Sequence, residues 1–261
     1  HKVVTQNEVK DMKKPAIGVI TGLTSDNDPF SHVAAFGLHT CHLCNWDPTV
    51  WTDRRAEEIK ELSRTTGVRI AAVWAGYSGP KVWNFIEGPT TLGLVPTRYR
   101  KKRVKELIRA AQFAARAGAP AIITHAGFIP ETPGDRLYKP TIDAIKEIAV
   151  ACKEVNIEFW FETGQETPIT LLRVIEDVGT GNLGINLDTA NCVLYGRANP
   201  VDSLDVFGKY VRNLHAKDGR YPTGGRLLGN ELPIGKGKVD WVKLFSALRT
   251  LRFTGDVIIE R

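Results

Sequence analysis

The chain has 261 residues, of which 43% are hydrophobic and 25% charged, and its net charge is +6. This length is enough for one large domain or two small ones, single α/β barrels often have it, and the composition is that of an ordinary soluble globular protein. The longest apolar runs are too short to span a bilayer, so we predict no membrane partner. The positive charge permits an anionic ligand or a nucleic acid but requires neither.

Four cysteines are too few for a disulfide framework, and a reduced, cytoplasmic protein is the default expectation. Cys41 and Cys44 form a Cys-x-x-Cys pair, but the sequence has no second pair to complete a structural zinc site. We therefore expect both to pack near a strand end, with zinc or redox use as the minor alternative. The chain starts at His1 rather than Met, which is compatible with a removed leader.

The first half alternates strand-like and helical stretches. Residues 1–14 are assigned to an N-terminal arm or short helix, and residues 15–261 to the main domain. Strand-like apolar runs are predicted at residues 15–21, 32–39, 68–74 and 121–125, and helices at residues 49–66 and 97–118.

Two segments of this half have no regular pattern of their own. Residues 75–96 are rich in glycine and aromatics, which we interpret as a partial lid or, alternatively, as an aromatic plug that only packs. Residues 98–103 are a basic run at the start of a helix. We interpret that run as a solvated helix face, with phosphate binding as the minority alternative.

In the second half, four short apolar runs end in a titratable side chain, namely Glu162, Asp188, His215 and Glu260. Helices are predicted at residues 137–155, 168–178, 199–208 and 239–251. Eight strands with intervening helices in this length indicate an α/β protein, a single (β/α)8 TIM barrel. The chain stops one residue after the eighth strand, so the closing C-terminal helix is missing from the pattern. Either residues were trimmed or the N-terminal arm covers that flank.

The four strand-end residues predict a metal site. In a parallel barrel all strand C-termini open at one mouth, so Glu162, Asp188, His215 and Glu260 would converge there. Three carboxylates and an imidazole would repel or remain uncompensated without a cation. Oxygen ligands with one nitrogen suit Mn²⁺ or Mg²⁺. The alternative for each residue alone is a helix cap or a partner for a basic neighbour.

The order of these residues resembles the xylose isomerase-like TIM barrels, which include sugar phosphate isomerases and epimerases, ketose 3-epimerases, inosose dehydratases and endonuclease IV. The motifs that carry the resemblance lie at residues 124–127, 161–166, 186–191, 214–218, 234–241 and 257–261. The resemblance implies one divalent ion, with Mn²⁺ expected and Mg²⁺, Co²⁺ or Zn²⁺ as alternatives. It also implies that Glu162 and Glu260 act as acid and base, and that Asp188 and His215 only ligate.

Two positions depart from the ketose epimerases of this family. Asn191 stands where many of them have a histidine, and Tyr221 stands where they have an arginine, with Arg220 adjacent. The identity of the substrate is therefore open. The same Asn191 argues against endonuclease IV-like chemistry, which uses that histidine for a multinuclear zinc cluster.

The expected function is proton transfer next to a carbonyl of a small carbohydrate, through an enediolate, with a metal-dependent dehydratase or lyase as the alternative. An endonuclease IV-like phosphoesterase and a non-catalytic sugar-binding barrel are less favoured. We expect a homo-oligomer with a small carbohydrate substrate and no nucleic-acid partner. Candidate substrate contacts are His125, Glu166, Asn191, Lys217, Arg220, Trp74 and Trp83. His125 could instead be a buried core histidine, Lys217 a rim cation, and the two tryptophans simple packing residues.

Overall fold

Eight parallel strands close into a barrel in the computed structural model, which describes residues 14–260. Around the barrel the strands follow the order β1-β10-β7-β6-β5-β4-β3-β2. They are β1 (Ile17–Gly22), β2 (Thr40–Asn45), β3 (Arg69–Ala75), β4 (Ala121–Thr124), β5 (Glu158–Glu162), β6 (Leu183–Asp188), β7 (Val211–Ala216) and β10 (Val257–Ile259). A small antiparallel pair, β8 (Asp218–Gly219) with β9 (Glu231–Leu232), lies outside the barrel sheet. The predicted (β/α)8 barrel is confirmed.

Helices cover the outside of the barrel. They are α1 (Ser31–Ala35), α2 (Asp53–Thr66), α3 (Gly88–Thr91), α4 (Thr97–Ala117), α5 (Tyr138–Glu154), α6 (Pro168–Val178), α7 (Thr189–Leu194), α8 (Pro200–Phe207) and α9 (Trp241–Thr250), with 3₁₀ turns at Pro48–Val50 and Gly208–Tyr210. Local signals fix their ends. For α6, the Thr167 side chain accepts the backbone N–H of Thr170, Pro168 occupies the first turn, and Gly179 follows with a φ of 61°.

The second strand lies later in the chain than the sequence pattern predicts, and the prediction at residues 32–39 is wrong. The short helix α1 begins at Ser31 instead, and the Asp28 carboxylate accepts the backbone N–H groups of Phe30 and Ser31 at that point. Gly37 then adopts a φ of 71°, which ends the helix and is incompatible with a continuous strand. The strand starts only at Thr40, where it pairs with β1 and β3.

Side chains of the strands alternate between two cores. One core lies between the strands and the helices, and the other fills the barrel interior with Ala72, Trp74, Ala121, Ile123 and Trp160. The alternation separates the two cysteines of β2, since Cys41 belongs to the outer core while Cys44 packs against the inner one. Burial raises the pKa of both thiols to about 12. The structure confirms that these cysteines pack near a strand rather than pair.

Two arginines of the basic run, the fully buried Arg103 and the half-buried Arg100, hold the segment between β3 and α4. Arg103 donates to the carbonyl oxygens of Ser78, Pro80, Thr91 and Gly93, and its guanidinium lies 4.2 Å from the ring centroid of Tyr77. Arg100 donates to two more carbonyls, those of Leu94 and Val95. The prediction of a solvated helix face is therefore wrong for these two residues. The fork-shaped guanidinium with several donors is well matched to a cluster of carbonyl oxygens.

Two expectations concern the ends of the chain. The predicted N-terminal arm falls almost entirely on residues 1–13, which lie outside the described residues. Within the described range, β10 is the last regular element, and the outward side chains of Ile17 on β1 and Ile259 on β10 are 56% and 39% exposed.

Among residues 14–260, no helix has both the length and the hydropathy needed to cross a membrane.

Candidate metal centre and pocket

Four side chains converge at the carboxyl ends of adjacent strands. Glu162 and Asp188 end β5 and β6, His215 lies near the end of β7, and Glu260 directly follows β10. One ligand atom from each lies within 4.8 Å of every other. Two atoms on opposite sides of a single divalent ion lie about 4–5 Å apart at bond lengths of about 2.0–2.6 Å. The spacing of the four groups is therefore that of a one-ion site.

Each carboxylate has one oxygen held by the protein. Glu162 Oε2 accepts the side-chain amide of Asn186, and Asp188 Oδ1 accepts the backbone N–H of Asn191 at the start of α7. Glu260 Oε1 accepts the ammonium of Lys217 at 3.1 Å. These contacts fix the rotamer of each acid and leave its second oxygen free to face the others.

For Glu162 and Glu260, this second oxygen lies next to Nδ1 of His215. Its Nδ1 lies 2.8 Å from Glu162 Oε1 and 2.7 Å from Glu260 Oε2. A single N–H can align with only one of these, and the alignment favours Glu162, so Glu260 Oε2 lacks an aligned donor. Asp188 Oδ2 is also buried with no hydrogen-bond partner. Buried oxygens without a donor are costly unless a cation compensates them, so these residues fit a divalent metal.

Electrostatics separates the roles of the four groups. Burial opposes the charged form of His215, but Glu162 and Glu260 outweigh it and raise its pKa to about 10. Burial raises the pKa of Asp188 to about 8, against the opposing effect of Lys217. For Glu260, burial is outweighed by His215 and Lys217, which hold its pKa well below the usual range. Glu260 is therefore an ionised carboxylate that lies beside Lys217 and His215.

A pocket of about 240 Å³ opens above the centre. Seven of the residues predicted for metal or substrate contact line it, namely Trp74, Trp83, His125, Glu162, Asn191, Lys217 and Glu260. Asp188 and His215 are fully buried and take part in the centre without lining this pocket. Glu166 is buried outside the lining, and burial raises its pKa to about 8. Arg220 is exposed and lines a separate loop cavity.

Aromatic rings form one wall of the pocket. Trp46 lies 4.7 Å from Trp74 and 6.0 Å from Trp83, measured between ring centroids. The ring of His125 lies 5.6 Å from Trp74 and 5.1 Å from Trp83. Such a wall offers flat apolar faces beside the acidic centre, which suits a small ligand that has both an apolar face and polar groups.

His125 is held from behind by a short relay. Its Nδ1 lies 3.1 Å from Gln165 Oε1, and the amide nitrogen of Gln165 donates to the Tyr195 hydroxyl at 2.9 Å. Burial lowers the pKa of His125, so the imidazole is neutral. Gln165 contacts only Nδ1 of His125. The other ring nitrogen, Nε2, does not contact Gln165, and His125 lines the pocket.

Lys217 lies within the acidic centre rather than at the barrel rim. Its Nζ is 3.1 Å from Glu260 Oε1, 3.6 Å from Glu231 Oε2 and 3.7 Å from Asp188 Oδ2. These carboxylates outweigh the effect of burial and raise the pKa of the ammonium. Lys217 is therefore a permanent cation that partly neutralises the three acids.

Three important residues were not predicted from the sequence, namely His42, Trp46 and Gln165. The first two belong to an alternating series of inward-facing residues that runs along and past β2. The assignment of the second strand to residues 32–39 concealed that alternation. Gln165 falls inside a recognised motif, but its contact with His125 joins two strands and has no local sequence signal.

Comparison with known proteins identifies the family. The family model described as xylose isomerase-like TIM barrel matches residues 30–261. The chain belongs to this family. A xylose isomerase domain protein from Planctomyces limnophilus is 30% identical to it, with a TM-score of 0.88 over 94% of this chain and 88% of that chain.

More distant similarities agree in fold. A D-tagatose 3-epimerase-like protein is 21% identical, with a TM-score of 0.74 over 94% of this chain and 90% of that chain. An uncharacterized protein from Methanocaldococcus jannaschii is 24% identical over 174 residues. That match covers 62% of this chain and 58% of the relative's length. The family prediction is confirmed, whereas the reaction must be argued from the site.

Proposed function

We propose that this chain is a divalent-metal-dependent sugar epimerase or isomerase, which moves a proton next to the carbonyl of a small, uncharged carbohydrate. The observation that carries the proposal is the placement of Glu162 and Glu260. They line the same pocket from strands separated by β6 and β7, and each directs one oxygen to His215 Nδ1. Epimerisation needs a base on one face of a carbon and an acid on the other, and two opposed carboxylates supply both.

Glu162, Asp188, His215 and Glu260 would hold the ion, and their oxygen-rich donor set favours Mn²⁺ or Mg²⁺. When bound, the ion supplies Lewis-acid stabilisation of the negative charge that develops on the substrate oxygens. Glu260 is the group assigned to accept a proton, because the ammonium of Lys217, 3.1 Å from its Oε1, holds it as an ionised carboxylate. Glu162 would then return a proton from the opposite side. The same first step followed by loss of a hydroxyl would give the alternative dehydratase reaction.

The pocket favours a neutral sugar over a phosphorylated one. Lys217 is the one cationic side chain among the residues that line it, and three carboxylates already surround that ammonium. The aromatic wall would pack against the C–H face of the substrate. A phosphate group would require further donors such as arginine, and Arg220 faces a separate cavity.

The test is deuterium exchange from D2O into a panel of ketoses and keto-polyols, followed by NMR and mass spectrometry. We expect exchange at the carbon next to the carbonyl, dependent on added Mn²⁺ or Mg²⁺ and lost on chelation. Glu162→Gln and Glu260→Gln should each reduce the rate by about 10²–10⁴-fold, the usual contribution of a positioned acid or base. Full activity after metal removal, or in the double variant, would refute the proposal.

Glu158→Gln is the matched control, because Glu158 lies at the opposite end of the same strand as Glu162 and pairs with Arg212. It should retain exchange activity. The product separates the two reactions, since a lyase releases an unsaturated compound while an epimerase changes only configuration.

A further inference from the structure

His42 is a fully buried side chain that contacts His215 at Nε2, the ring nitrogen that does not face Glu162 and Glu260. It lies on β2 with 0% exposure, and its Nδ1 is 2.8 Å from Nε2 of His215. The two ring centroids are 5.0 Å apart at an interplanar angle of 53°. This contact crosses the barrel interior, since β1 and β10 separate β2 from β7 in the sheet.

The direction of the hydrogen bond follows from the other nitrogen of His215. Nδ1 faces Glu162 and Glu260, so it is the nitrogen that can ligate an ion held by those carboxylates. A ligating Nδ1 carries no proton, and the proton of the neutral ring is then on Nε2. Nε2–H requires an acceptor, and the nitrogen at 2.8 Å is Nδ1 of His42. His42 must therefore present a lone pair there and carry its own proton on Nε2.

We propose that His42 is a positioning residue, which accepts the Nε2–H of His215 and thereby fixes Nδ1 of that ring as the metal ligand. The inference rests on the proposed function in one respect, namely that the four-residue centre binds a divalent ion. Metal-binding histidines usually donate their second N–H to a carboxylate or a carbonyl oxygen. Here a second imidazole takes that place.

A neutral acceptor suits the charge of this centre. The charges of Glu162, Asp188 and Glu260, one divalent ion and the ammonium of Lys217 together sum to zero, and the further carboxylate beside Lys217, that of Glu231, is exposed to solvent. A carboxylate at position 42 would add an uncompensated negative charge to a fully buried site, which is costly. His42 supplies the lone pair without that charge.

Two variants test the hydrogen bond separately from packing. His42→Phe keeps an aromatic ring of similar volume but removes the acceptor, while His42→Asn places an amide oxygen near the position of Nδ1. Mn²⁺ affinity, measured by EPR titration, should fall about 10–100-fold in His42→Phe, the usual effect of losing such a partner. His42→Asn should recover most of the lost affinity.

The second readout is the imidazole nitrogen spectrum of His215. With ¹⁵N-labelled histidine and diamagnetic Mg²⁺ or Zn²⁺, the unmodified chain should show Nε2 protonated and Nδ1 metal-bound. In His42→Phe the slowly exchanging Nε2–H signal should be lost or shifted. Cys41→Ala is the matched control, because Cys41 precedes His42 on β2 but faces the outer core. It perturbs the same strand and should leave Mn²⁺ affinity and the spectrum unchanged.

Three results would overturn the inference. They are unchanged Mn²⁺ affinity in His42→Phe, an equal loss in His42→Asn and His42→Phe, and a metal-bound Nε2 in the unmodified chain. The experiment distinguishes failure of the proposed function from failure of this inference. If the unmodified chain binds no divalent ion, both proposals are refuted. If the chain binds Mn²⁺ equally well with and without His42, only the positioning role of His42 is refuted.

Discussion

At the scale of single residues, Asp218 explains why the motif at residues 214–218 occurs together with the glycine-rich motif at residues 234–241. Its buried carboxylate accepts the backbone N–H groups of Gly219, Gly235, Gly237 and Val239, and the indole N–H of Trp241. One side chain thus ties the loop after β9 to the end of β8. The adjacent Lys217 lies beside the candidate metal centre, 3.1 Å from Glu260 and 3.7 Å from Asp188. Within the motif, Asp218 therefore holds the two loops together, while Lys217 supplies positive charge beside the carboxylates.

Replacing this carboxylate should destabilise the whole domain. In Asp218→Asn, one acceptor oxygen is replaced by an amide group that donates, so several buried N–H groups lose their partner. We expect a loss of about 2–4 kcal/mol in the free energy of unfolding, measured by urea denaturation. Asp240→Asn is the control, since Asp240 is a more exposed helix cap whose carboxylate accepts the backbone N–H of Lys243 and pairs with the ammonium of the same residue. An effect no larger than that of the control would contradict the structural role.

The pH dependence of that difference has a definite sign. Burial of Asp218 opposes ionisation, but the five N–H donors outweigh it and lower the pKa of the carboxyl. A lowered folded-state pKa gives stability that is complete above the unfolded pKa of about 3.9 and is lost as the pH falls through the folded value. The gap between Asp218 and Asp218→Asn should therefore be constant near neutral pH and narrow below about pH 4.

Prediction from sequence works at this scale where a residue ends a strand. Glu162, Asp188, His215 and Glu260 could be placed together because parallel strands deliver their last residues to one mouth. His42 could not, since its role depends on a contact across the barrel with His215. No local pattern encodes which inward-facing residues of distant strands will meet.

At the scale of elements, the segment between β3 and α4 is attached to the barrel by arginine rather than by a hydrophobic face. Trp83 of this segment lines the pocket, while Tyr77 is fully buried and its hydroxyl accepts the backbone N–H of Gly93. The lid and plug interpretations therefore each describe part of the same segment. Arg103 holds both parts through four carbonyl oxygens.

Arg103→Lys should loosen this segment without unfolding the barrel. An ammonium cannot reproduce the forked geometry of a guanidinium that serves four carbonyls and stacks on Tyr77. We expect faster amide hydrogen exchange over residues 77–95, measured by mass spectrometry, and unchanged exchange in β5 to β7. Arg98→Lys, an exposed position on the same helix, is the control. Equal protection in both variants would show that Arg103 does not hold the segment.

Prediction of elements fails where turn chemistry competes with an apolar run. Residues 32–39 have the composition of a strand, but a short helix that begins at Ser31, next to the Asp28 turn, runs into them, and Gly37 with its positive φ ends it. The later elements, from α4 to β7, match because their caps, glycines and hydrophobic periods agree with each other. The basic run was misjudged for another reason: charge alone does not reveal which arginines have carbonyl groups nearby.

At the scale of the whole molecule, two loops from distant parts of the chain meet over the pocket. Asn84 and Leu227 form an isolated antiparallel bridge, and the backbone N–H of Phe85 donates to the carbonyl of Arg226 at 3.0 Å. The first loop follows β3 and the second connects β8 to β9. Trp83 and Leu228, which neighbour the bridge, both line the pocket. The bridge therefore closes one side of the entrance.

A disulfide across this bridge should slow exchange with the centre. Opposed residues of an antiparallel pair lie about 4.5–5.5 Å apart, within the about 4.4–6.8 Å range that a disulfide spans. In the double variant Asn84→Cys with Leu227→Cys, oxidation should lower the rate at which a chelator removes Mn²⁺, because the two loops can no longer separate. The reduced form of the same double variant is the control, and it includes any cost of losing the Asn84 side chain. Equal rates in the two forms would mean that ions and ligands reach Glu162 and Glu260 without any opening of this bridge.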